Sequence, residues 1–351
     1  MEELKTAVTI RQVAEEAGVS IGTVDRILHH RGRVSSETSA RVMAIIEKLG
    51  YKPDIHASLL SIRKIVKIAV IIPYFQSGEF WSFIYDGIRQ AEAELTSYNP
   101  EISILYYNQF DGESFSKACS QCLSIKPDGV ILSPIHRDLS ARFVETIKVP
   151  VVFLDTCVED CNYFAYYGID LGESARVLAD LLFTQNNKLG PVVNFNIQSE
   201  SGFYSEAFLR RDKGLEGFMK ERNIRCKIHN CMISSTDFLK NVSIFDRFFE
   251  QHPDVHHAIT MTSRAHLLSD WMEIRGVKDL TIYGYDTTHA NIRALKKGTI
   301  RFLIAQRTDV QAHTATCDLV KYLTLGTRPP KRDNLFPIDI LTRYNVDYYI
   351  Q

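Results

Sequence analysis

Seven short apolar segments, separated by amphipathic helical stretches, constrain the fold more than any other feature of the sequence. They are KIAVIIP, ISILYYN, DGVILSP, PVVFLD, VVNFNI, HAITMTS and LTIYGYD. Strands that are apolar along their whole length are buried on both faces, so the pattern predicts parallel sheets covered by helices on each side. The predicted fold class is therefore α/β, with two similar lobes that follow a small all-α N-terminal domain.

The predicted large domain, residues 65–351, is expected to divide between these lobes. Lobe 1 is about 65–166 plus 303–333, and lobe 2 is about 167–302 plus 334–351. The last part of the chain is predicted to end in two short strands, near FPIDIL and NVDYYI. Ligands of such sheets bind beyond the carboxyl ends of the strands, so the cleft between the lobes is the expected binding site.

The N-terminal residues 1–52 follow a different pattern, that of three short amphipathic helices. Thr9 and Gln12 form a capping box for the first helix, and Gly18 can end it in the left-handed conformation. Ser20 is the expected cap of the second helix, and the third follows Ser35 or Ser36 and stops at Gly50. The residues expected to face a shared core are Val13, Ala14, Ala17, Val24, Ile27, Leu28, Val42, Ile45, Ile46 and Leu49.

Two short helices joined by a tight turn indicate a helix-turn-helix domain, in which the second helix enters the major groove of DNA. Helices of this length are marginal in water, so they must pack together. An ordinary three-helix bundle that binds nothing is the alternative.

Three linked motifs span residues 8–53: T-I-x-x-V-A-x-x-A-G-V-S-x-x-T-V-x-R, then V-S-x-x-T, then L-G-Y-x-P. This run resembles the DNA-binding headpiece of the lactose-repressor family of bacterial regulators. The resemblance implies that Ile21, Gly22 and Arg26 touch bases. Gly22 has no side chain, so direct readout is expected from Ile21 on a thymine methyl group and from Arg26 on guanine.

The remaining DNA-binding candidates of the headpiece are polar. Asp25 stands where the family usually has a small or hydroxyl residue, and it should accept from a cytosine amine or pair with Arg26 or Arg31. A solvated surface role is the alternative for the phosphate-contact candidates. These candidates are Ser20, Thr23, His29 and Ser35, and Thr9 completes the DNA-binding set.

Residues 53–64 are the predicted hinge. In the family that the headpiece resembles, this segment becomes a helix when two copies meet over DNA, and a Leu wedges into the minor groove. The register from Pro53 assigns the wedge to Leu60, with Leu59 as the competing choice, and Ala57 would pack against its twin. Asp54 and His56 replace the Asn and Arg of many relatives, and a plain linker is the alternative.

The large domain resembles the type I periplasmic sugar-binding fold. The landmarks are GEFWSFIYDGIRQAE, LD after PVVF, GYD after LTIY, and Q after FLIA. Thr156 departs from the family, which often has Arg there, and Thr262 and Ser263 replace a usual Asn. A structural role at a strand end is the alternative for each site residue. The implied effector site consists of Phe80 and Trp81 stacking on a sugar ring, with Asp155, Arg211 (or Arg210), Thr262, Asp286 and Gln306 as polar contacts.

The sequence also excludes several function classes. The net charge of −1 excludes a polycation, and no apolar run approaches a membrane span. Seven scattered cysteines and an N terminus without a signal-peptide pattern indicate the cytoplasm. Cys119 and Cys122 fall in a predicted helix and HPDVHH reads as a turn, so no metal site, cofactor or catalytic motif is expected.

These observations predict a homodimeric transcription regulator that binds pseudo-palindromic double-stranded DNA under the control of a small carbohydrate. Repression relieved by an inducer is the commoner mode in the family, and a corepressor or an activator also fits the sequence. The rival interpretations are a sugar receptor without a DNA-binding role and a sugar hydrolase that uses Asp155 and Asp286.

Overall fold

The computed structural model describes residues 8–28, 34–51, 65–184, 190–197, 204–234 and 236–349. The predicted hinge over 53–64 lies outside these residues, and the predictions for Ala57 and Leu60 lie outside them with it. His29 also falls outside the described part of the chain.

The N-terminal domain consists of three helices, α1 (Ile10–Ala17), α2 (Ile21–Leu28) and α3 (Ser36–Leu49). Thr9 and Gln12 form the predicted capping box, and Gly18 and Gly50 end α1 and α3 with φ angles of 62° and 63°. Ser35 caps α3, which settles the choice between Ser35 and Ser36. The buried core of this domain is Val13, Ala14, Ala17, Val24, Ile27 and Val42, with the other predicted apolar residues packed against it.

The large domain alternates strands and helices, as the sequence predicts. In chain order its elements are β1 (Val66–Pro73), α4 (Phe80–Glu94), β2 (Pro100–Tyr107), α5 (Gly112–Ile125), β3 (Gly129–Leu132), α6 (Arg137–Thr146), β4 (Val151–Asp155), β5 (Ala165–Gly168), α7 (Leu171–Thr184), β6 (Val192–Ile197), α8 (Glu206–Glu221), β7 (Ile228–Ile233), α9 (Phe238–Gln251), β8 (His257–Ile259), α10 (His266–Arg275), β9 (Thr281–Tyr285), α11 (His289–Lys297), β10 (Ile300–Ala305), α12 (Thr308–Leu325), β11 (Asp333–Leu335), β12 (Asp339–Leu341) and α13 (Val346–Tyr349).

The strands form two six-stranded sheets, one in each lobe. The first has the order β11-β5-β4-β3-β1-β2, and all its pairs are parallel. The second has the order β12-β10-β9-β8-β6-β7, and only β12 on β10 is antiparallel. The predicted α/β class with two parallel-dominated lobes is confirmed.

The chain passes between the lobes three times, at residues 169–170, 306–307 and 336–338. Residues 303–305, which the sequence assigned to lobe 1, belong to β10 of the second sheet. Residues 334–335, which it assigned to lobe 2, belong to β11 of the first. The apolar pattern of β10 continues to its last residue, so the sequence does not mark where the chain leaves the sheet.

The prediction of a strand near NVDYYI is wrong, because residues 346–349 form the short helix α13. Asn345 Oδ1 accepts from the Thr342 amide at 2.7 Å, and the Val346 amide donates to the Thr342 carbonyl at 3.2 Å. These bonds close a helical turn. Val346 and Tyr349, three residues apart, both pack on the second core.

Gly87 allows α4 and α12 to approach closely across lobe 1. A Cβ atom at Gly87 would lie 2.1 Å from the Asp309 carbonyl oxygen, a backbone atom that cannot rotate away. Gly217 in α8 is different, since the nearest atom to a Cβ there would be Arg176 Nη1 at 3.7 Å.

Gly87→Ala should therefore force α4 and α12 apart and lower the free energy of unfolding by about 1–3 kcal/mol. The matched control Gly217→Ala, also in a helix, should gain up to about 1 kcal/mol from the higher helix propensity of Ala. Denaturant unfolding of both variants measures the difference. Equal effects of the two substitutions would contradict the close approach at Gly87.

Candidate DNA-binding surface and effector cleft

The predicted base-contacting residues lie on an exposed surface at the start of α2. Ile21 is 43% exposed although it is a large apolar residue. Arg26, one turn on, is also exposed; its Nε donates to the Gly22 carbonyl at 2.9 Å, and its Nη2 lies 3.5 Å from Thr23 Oγ1. The guanidinium group is thus held against the first turn of α2, beside Gly22 and Thr23.

Two of the hydroxyl groups predicted to contact phosphates, those of Ser20 and Ser35, serve as helix caps. Ser20 Oγ accepts from the Thr23 amide at 3.2 Å and lies 2.9 Å from Thr23 Oγ1. Ser35 Oγ accepts from the Thr38 amide at 3.2 Å, and Thr9 caps α1. Asp25 is half-buried on α2. Capping accounts for the presence of these hydroxyl groups even where no DNA contacts them. The helix N termini that they cap also favour anions such as phosphate.

Two carboxylates lie at equivalent strand ends of the two lobes. Asp155 is the last residue of β4, and Asp286 directly follows β9. Both have left-handed backbones, with φ of 68° and 70°, and both are 6% exposed. Non-glycine residues adopt this conformation at a cost, and such strain clusters at ligand sites.

Arg211 on α8 supplies the positive charge for this pair. Its Nη1 donates to the Met261 carbonyl at 2.7 Å, and its guanidinium carbon lies 4.1 Å from the centre of the Tyr285 ring. The side chain is 4% exposed, and among the described residues its Nε and Nη2 have no hydrogen-bond partner. Arg210 instead pairs with Glu159 at 2.8 Å, so Arg211 is the arginine of the cluster.

Burial and charge oppose each other at the two carboxyl groups. Burial raises the pKa of Asp286 to about 6, although Arg211 and the amide of Gln306 act to lower it. Burial also raises the pKa of Asp155, against the same arginine and a 3.0 Å hydrogen bond from Thr156 Oγ1. The guanidinium group of Arg211 therefore interacts electrostatically with carboxyl groups from both lobes.

Gln306 joins the cluster at the second passage between the lobes. Its Nε2 donates to Asp286 Oδ1 at 2.6 Å, and its Oε1 has no partner among the described residues. The amide thus positions one carboxylate and keeps an acceptor for another group.

Phe80 and Trp81 begin α4, and with Thr262 they line a cleft of about 370 Å³. The two aromatic rings meet edge to face at 4.9 Å, and Trp81 Nε1 donates to Gln109 Oε1 at 3.3 Å. Asp155, Arg211, Asp286 and Gln306 are not among the lining residues.

The two groups of predicted residues adjoin each other. Phe208, which lines the cleft, lies one helical turn before Arg211, and Thr262 follows the Met261 carbonyl that Arg211 binds. The seven predicted effector residues therefore form an aromatic wall and a buried polar cluster next to it.

Cleft residues that come from loops and helix starts were not predicted from the sequence. Arg264 of lobe 2 pairs with Glu79 of lobe 1 at 2.9 Å, and the His289 amide donates to the Gly78 carbonyl at 3.2 Å. All four residues line the cleft. Their positions directly after strands or at helix starts were the available signal, because those ends face the cleft.

Comparisons with known proteins agree with this architecture. The profile of the periplasmic binding protein domain matches residues 68–327, and that of the bacterial regulatory proteins of the lacI family matches residues 9–54. Among solved structures, a candidate LacI transcriptional regulator from Bacteroides fragilis has a TM-score of 0.78 at 27% identity, covering 82% of this chain and all of the other.

A solute-binding protein from Agrobacterium radiobacter, solved with D-arabinose, shares the fold with a TM-score of 0.69 at 16% identity, over 82% of this chain and 97% of the other. Catabolite control protein A of Staphylococcus aureus is 30% identical over 52% of this chain and 54% of its own. The regulator RegA of Clostridium acetobutylicum is 34% identical over 52% and 53%. The chain thus spans about half the length of these curated relatives.

The fold and the site define a two-lobed binding protein joined to a helix-turn-helix domain. The chain belongs to the periplasmic binding protein domain family, and its N-terminal domain is that of the lacI family of bacterial regulatory proteins. Among the described helices, none has the length and apolar character needed to span a membrane.

The raised pKa of Asp286 predicts how stability varies with pH. The folded protein holds this proton more tightly than the unfolded chain does, so the contribution to stability is present below pH 3.8 and lost as the pH rises to about 6. Asp286→Asn removes this loss. The variant without ligand should be more stable than the wild type above pH 6, and the gain should vanish near pH 4.

Thermal unfolding between pH 4 and pH 8 measures this difference. Asp246→Asn is the control of opposite sign, because Arg275 lowers the pKa of Asp246 through a salt bridge. That variant should lose stability at pH 8 and approach the wild type at low pH. An Asp286→Asn variant less stable than the wild type at every pH would show that attraction to Arg211 outweighs burial.

Proposed function

We propose that this protein is a cytoplasmic, homodimeric transcriptional repressor whose affinity for a pseudo-palindromic DNA operator is controlled by a small carbohydrate bound between its lobes. The observation that carries the proposal is the presence, in one chain, of an exposed recognition helix and a cleft that adjoins a buried Asp–Arg–Asp cluster. The cleft has a binding role in this proposal, without a catalytic step. Each of the seven cysteines is free, which fits a reducing compartment.

The surface of α2 supports the DNA-binding part of the proposal. Ile21 is apolar and exposed, and Arg26 on the same helix offers a planar guanidinium group. An apolar contact suits a thymine methyl group, and a bidentate arginine suits guanine. Because Gly22 between them adds no side chain, sequence preference should depend mainly on these two residues.

The cleft supports the carbohydrate part. Sugar hydroxyls can donate to Asp155 and Asp286 and accept from Arg211, whose Nε and Nη2 are unpartnered within the described residues. The C–H face of a sugar ring suits the rings of Phe80 and Trp81. A neighbour of the same fold was solved with D-arabinose, which supports a carbohydrate as the class of ligand.

The lobe contacts support coupling between the two sites. Arg264–Glu79 in the lining of the cleft, and Arg210–Glu159 outside that lining, join the lobes in this structure. A ligand that shifts the lobes would move the start of lobe 1, where the chain arrives from the hinge segment. DNA and effector must then change each other's affinity by the same factor.

Arg26→Ala should abolish selection of one operator sequence. The experiment incubates the full-length protein with sheared bacterial DNA and sequences the bound fraction. The wild type should enrich a palindrome, and Arg26→Ala should lose it through about 1–3 kcal/mol of missing base discrimination. Arg41→Ala, which removes the same charge from the exposed face of α3, should retain the preference.

Failure to enrich any sequence, with and without a sugar panel, would contradict the DNA-binding proposal. Enrichment of the same palindrome by Arg26→Ala would place the base readout elsewhere.

Arg211→Met should abolish carbohydrate binding, because the variant leaves two buried carboxylates without their cation. Calorimetry with pentoses, hexoses and inositols should show a loss of at least about 100-fold, given that hydrogen bonds to charged groups contribute about 1.5–3 kcal/mol each. The adjacent Arg210→Met removes the same group from the Glu159 ion pair and should change affinity much less. Equal losses in the two variants would contradict the assigned role of Arg211.

A further inference from the structure

Glu94, His313 and Cys317 meet on lobe 1, outside the residues that line the cleft. Glu94 ends α4, and His313 and Cys317 lie one turn apart on α12. One ligand atom from each lies within 4.8 Å of the other two. We propose that these three side chains form a binding site for one divalent transition-metal ion, with Zn²⁺ the ion that the donor set favours.

The distances are close to those of a bound metal. Cys317 Sγ lies 3.9 Å from His313 Nε2, and that nitrogen lies 2.8 Å from Glu94 Oε2. Metal bonds of about 2.0–2.3 Å in a tetrahedron place ligand atoms roughly 3.3–3.7 Å apart. The sulfur–nitrogen separation is close to this range, and the carboxylate needs to open by less than about 1 Å. Because the sulfur is also 4.0 Å from Nδ1, the imidazole ring must turn so that Nε2 and the sulfur point to the same metal.

The packing of the two helices holds this geometry. α4 and α12 run in the same direction from their close approach at Gly87 and Asp309. Glu94 lies two turns beyond Gly87, which brings it beside His313 and Cys317. Gln90 Nε2 donates to Glu94 Oε1 at 3.0 Å, leaving Oε2 directed at His313. Such an outer contact orients a ligating carboxylate.

The chemistry of the donors selects the class of metal. Thiolate and imidazole suit Zn²⁺ and its neighbours among the transition metals, whereas Mg²⁺ and Ca²⁺ require oxygen donors. The side chain of Glu94 is 52% exposed and that of His313 25% exposed, so solvent can supply a fourth ligand. Three protein ligands and one water form a four-coordinate zinc site.

Cys317 distinguishes the cluster from an ordinary surface ion pair. Glu94 and His313 alone would form such a pair, but the cysteine is 8% exposed and its sulfur faces the imidazole ring. Burial raises the pKa of the Cys317 thiol, so without metal it keeps its proton at neutral pH. On binding, the metal–sulfur bond forms and this proton leaves to solvent.

The sequence analysis did not find this cluster because Glu94 and His313 are 219 residues apart. The inference does not depend on the proposed regulatory function, and its test involves neither DNA nor sugar.

The experiment titrates the full-length protein with Co²⁺, which reports thiolate ligation through a near-ultraviolet charge-transfer band, and then displaces it with Zn²⁺. One Co²⁺ per chain should produce the band. Cys317→Ser and His313→Gln should each abolish it, and Gln90→Ala should weaken binding about 10-fold. Cys226→Ser, which changes a thiol of lobe 2, should leave the titration unchanged.

Absence of the band in the wild type would overturn the proposal, as would a band that survives in Cys317→Ser. His229 and His252, whose rings are 4.1 Å apart in lobe 2, offer the competing location. Binding lost in His229→Gln but kept in His313→Gln would also overturn the assignment. Thermal unfolding of each variant confirms that it is folded.

Discussion

The cleft depends on one interaction, the attraction between the buried guanidinium group of Arg211 and two carboxyl groups. It lies close enough to Asp155 of lobe 1 and Asp286 of lobe 2 to lower the pKa of both, against burial that raises them. A buried charge is costly unless it is paired, so the cluster stabilises an arrangement in which strand ends of both lobes lie near one arginine. Within the described residues the Nε and Nη2 atoms have no hydrogen-bond partner, so this arrangement has room for a further acceptor.

We propose that the missing acceptor for Arg211 connects ligand binding in the cleft to the position of the two lobes. A ligand with several hydroxyl groups would supply acceptors to Arg211 and donors to the carboxylates, and it would therefore favour the closed lobes. Gln306, which binds Asp286, stands at one of the three passages between the lobes. We therefore propose that ligand occupancy and lobe position are linked through these side chains.

The N-terminal domain was the part most completely predicted from sequence, because its signals are local. Thr9, Ser35, Gly18 and Gly50 act within one helical turn, and each has the predicted capping role. The long apolar strands were equally clear, since strands buried on both faces need no knowledge of their neighbours. The edge strand β7 was not predicted, because half of its residues are only partly buried.

Tertiary contacts explain what the sequence could not provide. The choice between Arg210 and Arg211 depends on the rotation of α8 against two lobes, which separates adjacent residues into an ion pair and a buried cluster. The positions at which the chain crosses between the lobes cannot be recognised from the apolar pattern of the strands. The Arg264–Glu79 contact joins residues 185 positions apart and becomes visible only when the lobes are assembled.

The central claim is that DNA and carbohydrate change each other's affinity through the lobes. The most direct measurement determines the affinity of the full-length protein for its enriched operator with and without a saturating sugar, chosen from D-arabinose, D-glucose, D-galactose and myo-inositol by calorimetry. The sugar's affinity is then measured with and without operator. We expect the sugar to change operator affinity by at least about 5-fold, and the operator to change sugar affinity by the same factor. An operator affinity that is unchanged by a sugar bound in the cleft would contradict it.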